Sequence, residues 1–500
     1  MKIDVRASSV LRWIPRCLTL FAICASAAFA HGQFTLVKIS SDSFTNSASQ
    51  HKTEVEPDTY SWGSTMMAAF QVARIFGGGG ADLGFSISTD GGKTWTQGYL
   101  PGLTENYKGG TFSAASDASV VYCAKYGVWL ISSLPIESSG GDDVAVSRSS
   151  DGIHWGKLIM VDTTGLDDKN WITCDNNAKS PYYGNCYVEW DQVDGSGDVL
   201  ISTSTDGGQT WSAGKGSSDG AQGLGGEPIV QPNGRLVVPF LSFGDGIEAF
   251  SSTNGGKSFS STTLISQANV FQDDSGLRSS GLPLPSSGID GGGKLYVAWS
   301  DCSFRKNCSS NDIVFSTSLN GSTWAKPQRI PIDPLTSTVD HFIPGLGVDR
   351  STSFATAHLT STYYYFPDAG CTQSGCKLNV GFTTSTDGGK HWTQGQKLAG
   401  PMEISWLPST FSGNMVADYL STSYVNGNPF GVFVVAEKPV DGVFKQAAYT
   451  TAEPLLVAAD EPRFSSRGEK QVSHGKTHFE FRDVERESER ENEPPRSQKK

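Results

Sequence analysis

The chain has 500 residues, enough for one large β domain or several small ones. Its formal net charge is −12; without a charged C-terminal segment (ten basic, ten acidic residues) and an N-terminal leader (four basic, one acidic), 25 basic side chains face 40 acidic ones. So acidic a body argues against nucleic acid and anionic membrane as partners and leaves the fold open.

The first thirty residues have the pattern of an export signal. Lys2, Arg6, Arg12 and Arg16 precede the apolar run "CLTLFAICASAAFA", which ends in Ala28-Phe29-Ala30 and predicts cleavage before His31. Ile23 stands before Cys24 where a lipid-anchored precursor wants a small residue, so the expected product is secreted, extracellular or periplasmic, without a membrane anchor. No later run has the length and apolarity of a membrane span. The body is expected at 31–459. From 460 to 500 aliphatic residues nearly vanish, and a disordered charged tail is expected there.

Within the body one short stretch recurs. "STDGGKTW" (88–95) is followed by "SSDGIHW", "STDGGQTW", "STNGGKSF", "SLNGSTW" and "STDGGKHW", placing Asp or Asn at 90, 151, 206, 254, 320 and 387. Spacings of 48 to 67 residues indicate repeated supersecondary units. Each copy follows an alternating run such as "DLGFSIS" or "DIVFSTS", itself preceded by another strand-like run such as "KLYVAWSD". The stretch therefore predicts a hairpin turn: the Asp or Asn side chain accepts backbone N–H groups, Gly supplies positive φ, and the aromatic residue opens the next strand. After the sixth copy, "GNMVADYLSTSY", "NPFGVFVVAEK" and "FKQAAYTTA" still read as strands.

Seven cysteines remain after the leader, and six form close pairs: Cys174 with Cys186, Cys302 with Cys308, Cys371 with Cys376. In an exported chain these spacings suggest three small disulfide loops, though sequence does not prove connectivity. Zinc would want Cys-x-x-Cys pairs or histidines at ligand spacing, and neither is present, so no metal or other cofactor is expected. Cys123 is left over and reads as a buried strand thiol.

The six octapeptides resemble the Asp-box, or bacterial neuraminidase repeat, of sialidases and many other β-propellers, and the resemblance covers about 33–450. It implies an all-β propeller of four-stranded antiparallel blades with the repeats on the rim. Seven blades are expected, with six as the alternative, the ring being closed by the N-terminal run "QFTLVKIS" as the missing strand of the last blade. It also implies a secreted glycoside hydrolase, exo-acting on terminal sugars; the other reading is a non-catalytic propeller that binds glycan or protein. A monomer is expected.

Aligned by their repeats, the blades begin with polar residues at equivalent places: Glu56, Asp117, Asp168, Glu227, Arg278, Asp340 with His341, and Asp418. Glu56 and Asp117 each precede their own repeat by 34 residues. Converging carboxylates suit glycoside chemistry, in which one acid stays protonated beside an ionised neighbour; the same residues could instead cap backbone N–H groups. Sialidases use three arginines on the substrate carboxylate, a Tyr nucleophile activated by Glu, and an Asp acid/base. Carried onto this chain, the resemblance makes Asp117 or Asp340 the acid/base, Glu227 in "GGEPIVQPNGRL" the activating Glu and Tyr419 in "VADYLSTSY" the nucleophile. Glu56, Arg74, Arg278, His341 and Asp418 become candidate substrate-binding residues. Arg74-Ile75-Phe76 matches the sialidase Arg-Ile-Pro only weakly, and "VVPFLSF" after the Glu227 segment lacks the expected arginine, the departure that argues against sialic acid itself.

Overall fold

The structure is a computed structural model that describes Met1 and residues 34–138, 140–193, 195–244, 246–456 and 461–472. The expected export signal at 1–30 lies outside the described residues beyond Met1.

Runs that alternate β-branched or aromatic with small polar residues become strands because each strand can bury one face against its neighbour. After β1 (Leu36–Lys38) come two antiparallel meanders: β2 (Glu54–Trp62), β3 (Thr65–Arg74), β4 (Gly80–Ser88) and β5 (Thr96–Tyr99), then β6 (Ala114–Cys123), β7 (Val128–Ile136), β8 (Val144–Ser149) and β9 (Ile159–Asp162). A third consists of β10 (Asp167–Cys174), β11 (Cys186–Gln192) and β12 (Val199–Ser204). The fourth contains β13 (Gly223–Leu224), β14 (Ile229–Val230), β15 (Leu236–Ser242), β16 (Gly246–Ser252) and β17 (Thr263–Gln267). The fifth has β18 (Ser286–Ile289), β19 (Leu295–Asp301), β20 (Asp312–Ser318) and β21 (Gln328–Arg329). Next are β22 (Asp340–Val348), β23 (Leu359–Phe366), β24 (Lys377–Ser385), β25 (His391–Thr393) and β26 (Gln396–Glu403), then the ribbon of β27 (Ser409–Thr410) and β28 (Gly413–Asn414). β29 (Ser421–Val425), β30 (Asn428–Val440) and β31 (Val443–Thr451) follow, and β32 (Arg463–Ser465) comes last. Helical turns among the described residues are four short 3-10 segments.

This is an all-β propeller with mostly four-stranded blades, but the blade number is a correction to the sequence reading. Among the described residues, five hydrogen-bonded sheets have four or more strands, in place of seven, or six, separate blades. Two features cause the difference. The first two meanders form one eight-stranded sheet, joined where Gly80 pairs with Ala115. The third meander stops at three strands. Closure by the N-terminal run is present: β1 lies antiparallel to β31 with Leu36 opposite Thr451, giving the order β1-β31-β30-β29. Both ends of the body thus share one sheet, and Ile39 is buried in a cluster with Phe70, Ala81, Val432 and Ala448. Pairing the ends leaves less exposed edge at the chain's seam.

The core lies between neighbouring meanders. Val121, Leu130 and Val146 of the second pack with Ile172, Val188 and Trp190 of the third, and Trp190, Trp299 and Trp392 are completely buried. The three short cysteine pairs are bridged as expected, and Cys123 is reduced and buried. Part of the charged C-terminal segment, expected to be disordered from 460, is ordered. β32 pairs with β25, Ser466 Oγ donates to Gly389 O at 2.7 Å, and Glu469 reaches Arg329 at 3.5 Å. Backbone pairing and a buried arginine supply what the segment's own side chains cannot.

The repeated stretch is a turn held by one side chain. Asp90 Oδ1 accepts the N–H groups of Lys93 (3.1 Å) and Thr94 (3.0 Å), while its Oδ2 accepts the Thr94 hydroxyl at 2.6 Å. Ser88 Oγ accepts the Gly92 N–H at 2.9 Å, and Gly91 and Gly92 have φ of 78° and 92°, where a Cβ would be strained. These bonds hold the Asp90 carboxyl well below the usual range. Asn254 makes the same backbone bonds, at 3.1 Å to Lys257 and 3.0 Å to Ser258, so the turn needs the acceptor and not the charge. Asp90→Ala is expected to lower Tm by about a few °C, and Asp90→Asn to leave it near the parent value. Differential scanning calorimetry of the two variants checks this, and equal losses would show that the charge matters.

Candidate functional site

The leading strands share a device that places side chains on the axis. In β2, β6, β10 and β22 the register slips by one residue, and the first residue of each bulge is left-handed without being glycine: Glu56 (φ 52°), Asp117 (50°), Lys169 (47°) and Ile343 (48°). Each bulge sets two residues against one on the second strand and re-aims the side chain. Such conformations cost about 1–3 kcal/mol and persist only where the surroundings enforce them.

At this end Glu56, Asp117 and Lys169 enter a closed charged cluster. Asp418, only 1% exposed at its side chain, accepts Lys169 Nζ at 2.7 Å, Arg278 Nε at 3.2 Å and Nη2 at 3.0 Å, and the Ser279 hydroxyl at 2.5 Å. These cations hold its carboxyl well below the ordinary value against the opposing effect of burial. Glu56 is shifted the other way, by burial first and then by the charges of Asp117 and Asp418, and it accepts a hydrogen bond from Gln71 Nε2. Gln71 also reaches Ser116 Oγ at 2.9 Å, and Ser116 donates to Asp117 at 2.7 Å. Glu56, Asp117, Lys169 and Arg278, with Arg74 and Asp168, line a cavity of about 20 Å³, room for about one water molecule. Arg74 is engaged there, donating to the carbonyls of Ile75 (2.8 Å) and Gly79 (2.7 Å).

The other end is open. A pocket of about 370 Å³ is lined by Asp58, Tyr60 and Trp62 of β2, Trp171 of β10, Glu227 and Ser287, the turn at 349–351, and Ser421, Ser423 and Tyr424 of β29. The repeated turns lie at this end: the N–H of Gly91 donates at 3.0 Å to Ser64 O, immediately after the Trp62-Gly63 hairpin at the rim. Three buried carboxylates line the pocket: Asp58, Glu227 and Asp349. Burial pushes Glu227 up to about 8, with the Asp58 charge raising it further against hydrogen bonds from Ser287. Its Oε2 accepts the Ser287 N–H at 2.5 Å. Burial raises Asp58 to about 6, while hydrogen bonds from Val120 N–H (2.8 Å), Ser119 Oγ (3.1 Å) and Thr59 N–H (2.7 Å) limit the rise.

The residues expected to meet in one site are divided. Glu56, Asp117, Asp168, Arg74, Arg278 and Asp418 come together in the closed cluster. Glu227 lines the open pocket instead. Asp340 and His341 belong to neither: Asp340 Oδ1 accepts the Asn311 N–H at 2.6 Å, and His341 faces a buried network in which Arg305 and Arg329 bind Asp312 and Asp333. Repeat spacing failed there because the bulge residue of β22 is Ile343. In β10 it is Lys169, one residue beyond Asp168. Tyr419 is buried edge-on against Trp171 at 5.0 Å; its hydroxyl makes no hydrogen bond to Glu227, and burial with the charges of Asp117 and Glu56 raises its pKa well above the ordinary value. Ionisation to a nucleophile is thereby opposed. Sequence reasoning missed Asp58, Lys169 and Arg350, although "EVEPDTYSW" sets acids and then aromatic residues at every second position of one strand.

No family model and no curated protein matches the chain. Among solved structures, a protein of unknown function from Dyadobacter fermentans is 17% identical over 71% of this chain and 99% of its own, with a TM-score of 0.43. An ulvan lyase, a polysaccharide lyase, is 11% identical over 83% of this chain and 96% of its own, with a TM-score of 0.47. The intramolecular trans-sialidase of Ruminococcus gnavus is 14% identical over 81% and 96%, with a TM-score of 0.38. At such scores these likenesses say nothing about a reaction.

Removing Asp418 strands two buried cations, so Asp418→Ala is expected to cost about 3–5 kcal/mol in urea unfolding. A cost below about 1 kcal/mol would show that the cluster is solvated. The pH dependence has a definite sign. Between the ordinary carboxyl value of 4.5 and about 8, folded Glu227 keeps a proton that the unfolded chain has lost, so its contribution to stability declines across that window as pH rises. Tm should fall from pH 5 to pH 9, and less steeply in Glu227→Gln; an unchanged slope in that variant would contradict the assignment.

Proposed function

We propose that this is a secreted, glycan-active propeller working through the open pocket, as an exo-acting glycoside hydrolase with Glu227 as proton donor and Asp58 as its ionised partner. The observation that carries the reading is that two buried carboxylates with separated pKa values, about 8 and about 6, line one aromatic-rimmed pocket. At neutral pH Glu227 holds a proton to give to a leaving oxygen, while Asp58 is largely ionised, able to stabilise positive charge on the sugar or to activate water. A volume of about 370 Å³ suits a small terminal unit, and Trp62 and Trp171 offer ring faces for a sugar. The closed cluster supports the reading by contrast: Lys169 and Arg278 already hold Asp418, so that end offers an incoming sialic acid carboxylate little. The repeats resemble the Asp-box of sialidases and other β-propellers.

A second reading, a propeller that binds glycan without cleaving it, is favoured by one observation. Glu227 accepts the Ser287 N–H at 2.5 Å and Asp58 the Val120 N–H at 2.8 Å, bonds that a purely structural carboxylate would make.

The purified protein should be assayed against fluorogenic glycosides, a 2-keto-3-deoxy acid glycoside included. Turnover is expected to follow a bell between about pH 6 and about pH 8, the values of Asp58 and Glu227. Glu227→Gln should lower kcat/KM by roughly 10²–10⁴-fold. Turnover that survives both Glu227→Gln and Asp58→Asn would overturn the catalytic assignment; tight glycan binding without turnover would establish the second reading.

A further inference from the structure

We propose that Arg350, on the rim of the open pocket, is a specificity residue that binds the anionic group of an acidic sugar, a uronate carboxylate or a sulfate ester; this rests on the glycan reading above. Arg350 sits in the turn after β22 and lines the pocket with its side chain exposed. Its guanidinium carbon lies 5.0 Å from the centroid of the Tyr60 ring, and Nη1 donates to the Tyr60 hydroxyl. Tyr60 is itself fixed, accepting Asn176 Nδ2 at 3.1 Å and packing edge-on against Trp129 at 6.4 Å. The cation is therefore held on a rigid aromatic face.

Arg350 has no carboxylate partner among the described residues. Its neighbour Asp349 is committed elsewhere, accepting the N–H and hydroxyl of Ser351 at 2.9 and 2.7 Å, with His358 Nδ1 at 3.7 Å. In a body with 40 acidic and 25 basic residues, an arginine left without an acid inside a pocket lined by three carboxylates is conspicuous by its chemistry. A planar guanidinium with one donor used still has N–H groups for the paired oxygens of a carboxylate or sulfate. Trp62, two residues after Tyr60 on the same strand, is 40% exposed and stacks on Tyr122 at 5.5 Å and 30°, a braced platform for the sugar ring. This arginine stands apart from Arg74 and Arg278, which are engaged at the opposite end.

The test titrates the full chain with three ligands, a galacturonate trisaccharide, a 6-sulfated galactose disaccharide and lactose, by calorimetry at low and high salt. At least one acidic ligand should bind tenfold or more tightly than lactose at low salt. The Arg350→Gln variant should lose most of that advantage, and Arg350→Lys should keep only its salt-sensitive part; Tm of each variant confirms folding. The acidic arm that responds identifies carboxylate or sulfate. Equal affinity for acidic and neutral ligands, or an acidic preference that survives Arg350→Gln, overturns the subsite and leaves the glycan reading standing. No binding of any of the three overturns both.

Discussion

A single buried carboxylate organises one end of this propeller. Asp418, just before β29, draws Lys169 of β10 and the Arg278-Ser279 segment onto itself, so three distant parts of the chain meet on one side chain. Two cations and a hydroxyl offset the desolvation of the charge; none of the three could be buried alone without a large cost. The same arrangement sets its neighbours. Burial first, and then the charges of Asp117 and Asp418, drive Glu56 toward the neutral form against the pull of Lys169 and Arg278, and it rests on Gln71. The cavity that remains is hardly larger than one water molecule. The cluster acts as a plug.

With one end closed, the open pocket lies at the other. Along β2 the chain runs from Glu56 in the plug, through Asp58 in the pocket, to Trp62 on the open rim. The bulge at Glu56-Pro57 adds one residue between these stations, separating two acids that simple alternation would set side by side on one face. Tyr419 lies between the stations: the charges of Asp117, Glu56 and Asp58 all bear on it, and its ring stacks edge-on with Trp171 of the pocket. A neutral phenol there separates two acidic groups without adding charge.

Much of the fold was legible because its signals are local. Ser88, Asp90, Gly91 and Gly92 fix their turn with bonds spanning at most four residues, so six copies could be recognised by pattern alone. The cysteine loops are equally short, and "QFTLVKIS" was the one unpaired run able to join the last strands. The blade count was not legible, because the bridge between Gly80 and Ala115 that fuses two meanders depends on three-dimensional approach. The site was legible only in part. Spacing from the repeat located the bulges at Glu56 and Asp117, which both lie 34 residues before their repeat, and missed Lys169 and Ile343, which lie at other distances. Glu227, named from the sequence, lines the open pocket, whereas Asp58, which lines it too, was hidden by the bulge. Ordering of residues 461–472 depends on β25 and on Arg329, far away in sequence.

The central claim is that the end carrying Trp62, Glu227 and Arg350 receives the ligand while the end carrying Asp418 is structural. A crystal structure of the protein soaked with an oligosaccharide it binds tests this most directly. Electron density for a sugar ring is expected against Trp62, within hydrogen-bond reach of Glu227, with the Lys169–Asp418–Arg278 cluster unchanged. A sugar bound in place of Asp418's contacts, with Lys169 and Arg278 turned onto it, would contradict the account.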